Sequence, residues 1–254
     1  MSAPEKLKRN LLPSIFMIHV RRIGWIRTFF GGFLQYLSIF EFISLHLTTI
    51  ILLYKWMLTP FFSVKRFRIR DYLLLDRGTI SRMCIFDRIN CEFCGYANGT
   101  AKLWNDELDE LSKSELKSRN IFAKLIIALY TGCLAIFLFF QFFLSKVLFF
   151  FIASFLGLQF ADTKVLRKDL HTSGYAASHG WLLRNLLRAS KLYALSLAIN
   201  LEQIESAWCP LTHLKRQGAV VSEHHKNFYD RDHLEDCLAT LAKEGTVSPR
   251  KPRY

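Results

Sequence analysis

The sequence lacks the short motifs that identify the commonest catalytic sites. It contains no GxGxxG, GxxxxGK[ST], GxSxG or HExxH segment, so dinucleotide binding, P-loop chemistry, serine hydrolysis and zinc proteolysis have no support. Six cysteines are too few, and 254 residues too many, for a disulfide-framed mini-protein. No reaction and no catalytic residue is therefore assigned from the sequence.

Acidic residues are scarce relative to basic ones. The chain has 21 Asp and Glu against 34 Lys and Arg, a formal net charge of +13. The basic residues flank hydrophobic segments and no nucleic-acid-binding module accompanies them, so we expect anionic lipid headgroups and not nucleic acid as the partner. Apolar residues are abundant, at 51% of the chain with 23 Phe, which excludes a disordered protein.

The apolar residues are concentrated in two blocks, 31–62 and 121–161. Within the second block, residues 125–145 carry no charge and are numerous enough for a membrane-spanning helix. Neither block alternates polar and apolar residues, so the strands of an outer-membrane barrel are not expected. The sequence predicts an all-α membrane protein in which the lipid bilayer is the main partner.

Basic residues stand on both sides of each block. Arg22 and Arg27 precede the first block and Lys65 and Arg66 follow it, and the second block is flanked in the same way. The positive-inside rule places both ends of each block in the cytoplasm. We therefore expect two helical hairpins, with single spans as the alternative. The expected location is the bacterial inner membrane, with the polar segments facing the cytoplasm.

These features divide the chain into six segments. They are a basic, interfacial amphipathic segment (1–30), the first membrane block (31–62), a polar cytoplasmic segment with a CxxC pair (63–120), the second membrane block (121–161), a cytoplasmic helical region (162–247) and a disordered basic tail (248–254).

One face of a predicted helix in the fifth segment is basic. Arg184, Arg188 and Lys191 recur at helical spacing opposite a leucine-rich face. Such a helix suits docking on a bilayer, so we expect these three residues to contact anionic headgroups. An ordinary amphipathic core helix is the alternative.

Four residues carry the most specific chemical signal. Cys91 and Cys94 have the spacing of a metal-binding knuckle, and Gly95 would permit the tight turn beneath it. Cys209 and His213 form a second half-site. Together the three thiolates and the imidazole predict a closed Cys₃His zinc site, with iron or a [2Fe–2S] cluster as the alternative. A CxxC pair is also the spacing of a redox dithiol.

Two segments around these cysteines resemble segments of a group of uncharacterised bacterial proteins. Residues 91–99 read CEFCGYANG and residues 205–213 read ESAWCPLTH. The group carries the paired motifs CxYCxYANG and EQYWCPxxH. The resemblance implies a paired Cys/His site and implies no activity.

Two classes of function remain open. The first is a non-catalytic subunit or scaffold, bound to other membrane protein subunits, in which a structural zinc site joins the cytoplasmic segments. The second is a membrane-embedded redox protein or lipid-modifying enzyme with iron at the Cys/His site. The isolated pair His224-His225 lacks the repeated boxes of a di-iron membrane oxygenase. Glu41, inside the first block, marks either a functional site or the polar turn of a hairpin.

Overall fold

Helices account for every regular element that the structure describes. The structure is a computed structural model and describes residues 15–80, 83–116, 120–156, 176, 179–221, 225 and 228–244. In these ranges an isolated β-bridge between Leu211 and Tyr229 is the only strand-like pairing. The all-helical prediction is confirmed. The predicted tail, 248–254, and the first fourteen residues of the predicted interfacial segment lie outside the described residues.

The α-helices, in chain order, are α1 (Ile15–Ile23), α2 (Trp25–Leu37), α3 (Ile39–Leu45), α4 (Ile69–Tyr72), α5 (Ile85–Lys113), α6 (Ile121–Leu156), α7 (Trp181–Trp208) and α8 (Leu234–Glu244). A π-helix, His46–Leu58, follows α3 directly, and 3₁₀ helices lie at Arg77–Thr79 and Arg231–His233. The run α2–α3–π-helix, Trp25–Leu58, and the first part of α6, Ile121–Leu144, are each long and apolar enough to cross a membrane.

These two apolar runs lie antiparallel to each other. Phe30 stacks on Phe155 with ring centroids 5.8 Å apart, and at the opposite end Phe61 contacts Phe122 at 5.4 Å. Neither helical run reverses direction in the described residues. The structure therefore corrects the expectation of a hairpin within each block. Each run buries its side chains against neighbouring helices along its length. A run therefore does not need to fold back on itself to bury them.

The more polar helices α5 and α7 complete a two-layer bundle with the apolar pair. Trp104 of α5 contacts Phe137 of α6 and Tyr193 of α7, with centroids 6.1 and 5.6 Å apart. The Tyr193 hydroxyl donates a 2.6 Å hydrogen bond to the Glu41 carboxylate, and Gln141 donates to the Glu41 carbonyl oxygen. Glu41 therefore lies where the four helical runs meet and does not mark a turn.

Two glycines let the connecting chain approach the backbone of α5. A Cβ at Gly95 would clash with the carbonyl oxygen of Leu74, and a Cβ at Gly99 would lie 2.5 Å from that of Tyr72. Residues four apart share one face of a helix, so the chain at 72–74 packs along both positions. The structure thus corrects the role expected for Gly95. It permits a close approach of backbones inside a continuous helix, and no knuckle turn forms there.

A smaller apolar cluster joins α1, α8 and the chain that follows α7. The Asp87 carboxylate accepts hydrogen bonds from the backbone N–H groups of Ile15 and Phe16, at 2.9 and 3.3 Å. A carboxylate at these positions satisfies free N–H groups at the start of α1 and favours its dipole. His19 of α1 stacks on Trp208 at the end of α7, with centroids 4.3 Å apart.

Candidate metal centre

The two cysteine-bearing segments of the sequence meet in space. Although 118 residues separate them, Cys91 Sγ lies 2.8 Å from Cys209 Sγ. The Asn98 side-chain amide donates a 2.9 Å hydrogen bond to Glu205 Oε2. Both contacts join α5 to the end of α7. Further along α5, Trp104 contacts Tyr193, which is earlier in α7 than Glu205, so the two helices are antiparallel. The antiparallel pairing of these helices therefore builds the site.

A buried ion pair lies beside the thiols. Arg77 and Glu205 pair directly, with side chains only 1% and 0% exposed. The Arg77 guanidinium also donates to the carbonyl oxygens of Cys209 and Leu211, at 3.3 and 3.1 Å. Burial alone would raise the pKa of Glu205, but the charges of Arg77 and His225 hold it below its usual range. Glu205 is therefore ionised.

Glu205, His213 and His225 form a compact group of metal-ligand side chains. One ligand atom from each residue lies within 4.8 Å of the other two. His225 Nε2 is 3.0 Å from Glu205 Oε2, and the rings of His213 and His225 stack with centroids 5.2 Å apart. The ligand atoms of a bound divalent ion stand roughly 3–3.5 Å apart. The group could therefore hold such an ion if its ligand atoms moved closer together.

Asp76 orients His213 from outside the group. Its Oδ1 is 2.6 Å from His213 Nδ1, while Oδ2 accepts a 2.6 Å hydrogen bond from the backbone N–H of Leu214. Burial would raise the pKa of Asp76, but these hydrogen bonds lower it to about 2. Burial lowers the pKa of His213. A carboxylate on one ring nitrogen of a neutral histidine leaves the other nitrogen for a metal.

A cavity of about 350 Å³ adjoins the group. His213 and His225 form part of its wall, so a metal ion bound there would face the cavity. The remaining wall combines polar side chains of α5 with apolar side chains of α7 and of the chain beyond it, among them Asn98, Lys102, Leu195, Ile199 and Val220.

The predicted Cys₃His ligands are only partly brought together. Cys91 and Cys209 are in contact, whereas Cys94 Sγ accepts a long, 3.9 Å hydrogen bond from the Gln35 amide and His213 belongs to the group with Glu205. Across the described ranges no other three His, Cys, Asp or Glu side chains bring their ligand atoms within 4.8 Å of one another. The Cys₃His site stays a prediction.

The thiols have the character of protonated, buried cysteines. The hydrogen bond with Cys209, together with burial, raises the pKa of Cys91. Burial raises the pKa of Cys94 as well. Cys91 and Cys94 both lie inside α5, on the side that faces the bundle, with 1% and 4% of their surface exposed.

The basic face predicted on α7 is reduced to two residues. Arg184 and Arg188 are exposed, and their contact with lipid headgroups stays a prediction. Lys191 is 5% exposed and forms a 2.7 Å ion pair with Asp109 of α5, which corrects its assignment to the lipid surface. The physical reason is that α5 packs over this part of α7 and supplies a carboxylate there.

Sequence reasoning did not assign Glu205 and His225 as ligands, and it missed the residues that hold the group in place. Asp76 and Arg77 lie in a connecting segment without any motif, and Glu205 was noted only as part of a motif. His225 was considered only as half of His224-His225, whereas its distance of twelve residues from His213 resembles no common ligand spacing. Comparisons of the chain with protein-family models, with curated proteins and with solved structures found no match.

Proposed function

We propose that this chain is a membrane protein whose more polar layer holds a divalent metal ion between Glu205, His213 and His225, with a coordination position open to the adjoining cavity. Such a centre binds a ligand of the cavity and activates it. The observation that carries the proposal is the convergence of the three ligand atoms within 4.8 Å of one another, with His213 and His225 in the wall of the cavity.

The donor set supports zinc or iron(II). Two histidines and one carboxylate hold the metal in zinc hydrolases and in non-haem iron oxygenases, and both types of centre keep positions open for water or substrate. The candidate ligands are themselves held by hydrogen bonds and an ion pair, as the ligands of protein metal sites usually are. Asp76 holds His213, and Arg77 pairs with Glu205 Oε1 while Oε2 faces His225.

The apolar surface supports the membrane part of the proposal. The windows that identify the two apolar runs are only 39% and 28% buried in the bundle. The core helix of a soluble protein is mostly buried, whereas a lipid-facing helix exposes apolar side chains. The scaffold role expected from the sequence, with other membrane subunits as partners, is compatible with the same surface.

A second candidate is the closed Cys₃His zinc site of a non-catalytic scaffold. The contact of 2.8 Å between Cys91 and Cys209 favours it, because two half-sites far apart in the sequence supply one thiol each. It requires Cys94 and His213 to turn toward this pair. Zinc would then clamp α5 to the chain after α7 and contribute to folding.

Metal content of the purified protein tests the proposal. The chain is purified in mild detergent without chelators, and metals are quantified for the unmodified chain, His225→Ala and His213→Ala. We expect about one zinc or iron per chain in the unmodified protein and at least a tenfold loss in both variants, since outer contacts alone already change affinity 10–100-fold.

His233→Ala is the matched control, because His233 is exposed and lies outside the group. It should retain the metal. Circular dichroism confirms that each variant keeps its helical content. Loss of metal in Cys94→Ser with retention in His225→Ala would reject the proposal in favour of the thiolate site. An absence of stoichiometric metal after loading with zinc and with iron(II) would reject both.

A further inference from the structure

One layer of the bundle exposes many large apolar side chains. Most of the exposed large apolar side chains in the described part of the chain belong to the run Trp25–Leu58 and to α6. Each of the following is more than half exposed: Trp25, Ile26, Phe29, Phe33, Phe40, Leu47, Trp56, Leu125, Leu129, Ile136, Phe139, Phe140 and Phe143. Soluble monomers do not expose apolar surface on this scale, so this layer contacts lipid or protein.

Helix α5 runs alongside the first apolar run over most of its length. The Tyr36 hydroxyl donates to Asn90, Phe42 contacts Phe93, and His46 Nδ1 lies 3.0 Å from the Tyr96 hydroxyl. Further along, Tyr54 and Glu107 both line a second cavity, separate from the one beside the metal group. The two runs are therefore parallel and occupy the same level of the bundle.

Helix α5 is charged over that same level. Glu92 is exposed, and the side chains of Lys102, Asp106 and Asp109 are 29–40% exposed. If the first apolar run crossed the bilayer along its axis, these charges would lie at the depth of the hydrocarbon. Lys102 pairs with Asp106 and Asp109 pairs with Lys191, yet these three side chains of α5 remain partly exposed. Exposed ionisable side chains at that depth are costly unless they face water.

The ends of the apolar layer are basic on both sides. Arg21, Arg22 and Arg27 are exposed at the start of the first run, and Lys65 and Arg66 are exposed just beyond its end. Positive charge at both ends favours one side of the membrane for both. Helix α6, at 36 residues, is about 54 Å long, well beyond a hydrocarbon core of about 30 Å.

We propose that the bundle lies flat in one leaflet of the bilayer. The apolar layer formed by Trp25–Leu58 and α6 enters the acyl region, and the layer of α5 and α7 faces water with the metal group. The proposal rests on the membrane association proposed above and replaces both hairpins and crossings. In this arrangement the basic residues at both ends of the apolar layer contact the anionic headgroups of the same leaflet, which attract them electrostatically.

Sided labelling tests this arrangement. Arg22→Cys, Ser63→Cys and Glu92→Cys each place a thiol at an exposed position: before the first run, after it and at the middle of the bundle. A membrane-impermeant maleimide polymer is applied to sealed right-side-out and inside-out membrane vesicles, with the unmodified chain as the background. We expect all three thiols to react from the same side, and none from the other.

Reaction of Arg22→Cys and Ser63→Cys from opposite sides would overturn the flat arrangement in favour of crossings. Failure of Glu92→Cys to react before detergent is added would also overturn it. Release of the chain by an alkaline wash would instead refute the membrane association itself. If the released chain is then a defined dimer in water, a second copy covers the apolar layer.

Discussion

Arg77 and Glu205 form an ion pair in which neither side chain is exposed, and the pair joins the segment before α5 to the end of α7. Arg77 Nη1 donates to the carbonyl oxygens of Cys209 and Leu211. The pair therefore fixes both the carboxylate of the proposed metal group and the chain that leads to His213.

Removing the guanidinium should destabilise the fold strongly. Arg77→Met keeps the apolar stem but leaves the Glu205 charge buried without its cation. Breaking a buried pair in this way costs about 3–5 kcal/mol of unfolding free energy. Chemical denaturation followed by circular dichroism measures it. Lys113→Met removes an exposed ion pair with Asp109 and should change the unfolding free energy far less, since such pairs contribute little. Equal losses in the two variants would contradict the role of Arg77.

Alanine at Gly95 or Gly99 should destabilise the protein, although alanine is the better helix former. The added Cβ meets the carbonyl oxygen of Leu74 or Tyr72, which is backbone and cannot rotate away. We expect a net loss of about 1–3 kcal/mol, typical of overpacking. Gly132→Ala in α6 is the matched control, because nothing lies within 4 Å of its added Cβ. It should be neutral or stabilising by up to about 1 kcal/mol. A gain at all three positions would refute the close approach at 72–74.

Because of His19, the unfolding free energy of the protein should decrease in acid. Burial and the nearby charge of Arg22 lower its pKa from 6.5 to about 4 in the folded chain. Folding favours the neutral ring, so this stability is fully present above pH 6.5 and is lost as the pH falls toward 4. Between pH 7.5 and pH 4.5 the loss is about 2–3 kcal/mol. His19→Phe keeps the stack on Trp208 without a titrating group, so its unfolding free energy should fall by that much less over the same range. Identical pH profiles would contradict the prediction.

Cys91 and Cys94 should react slowly with alkylating reagents. The thiolate is the nucleophile, and both thiols are buried with raised pKa values. At pH 7.5 we expect iodoacetamide to modify them at least roughly tenfold more slowly in the native chain than after denaturation, as followed by peptide mass spectrometry. A chelator should leave these native rates unchanged. A chelator that accelerates both reactions would indicate thiolate ligands.

The sequence predicted the long helices because apolar runs leave few alternatives, as in 125–145. It did not predict whether each block forms one continuous helix or a hairpin. The two have the same hydropathy and differ only in what the buried face contacts. It grouped Cys91, Cys209 and His213 by spacing, whereas in the structure Cys91 contacts Cys209 and His213 lies with Glu205 and His225. The spacing of Gly95 and Gly99 was informative, yet a glycine after CxxC is equally compatible with a turn.

The buried polar residues were beyond sequence reasoning for a physical reason. Arg77 and Asp76 act through partners 128 and 137 positions away, in Glu205 and His213. The periodicity of apolar residues along the sequence contains no information on pairs so far apart. Lys191 has the helical spacing of an exposed residue, and only the packing of α5 with its Asp109 buries it.

The nature of the metal's ligands is the most direct test of the central claim. The extended X-ray absorption fine structure at the metal edge is recorded on the purified, metal-loaded chain. Coordination by Glu205, His213 and His225 predicts a first shell of nitrogen and oxygen alone at about 2.0–2.2 Å, without sulfur. A sulfur shell at about 2.3 Å would contradict the account and identify the cysteines as the ligands.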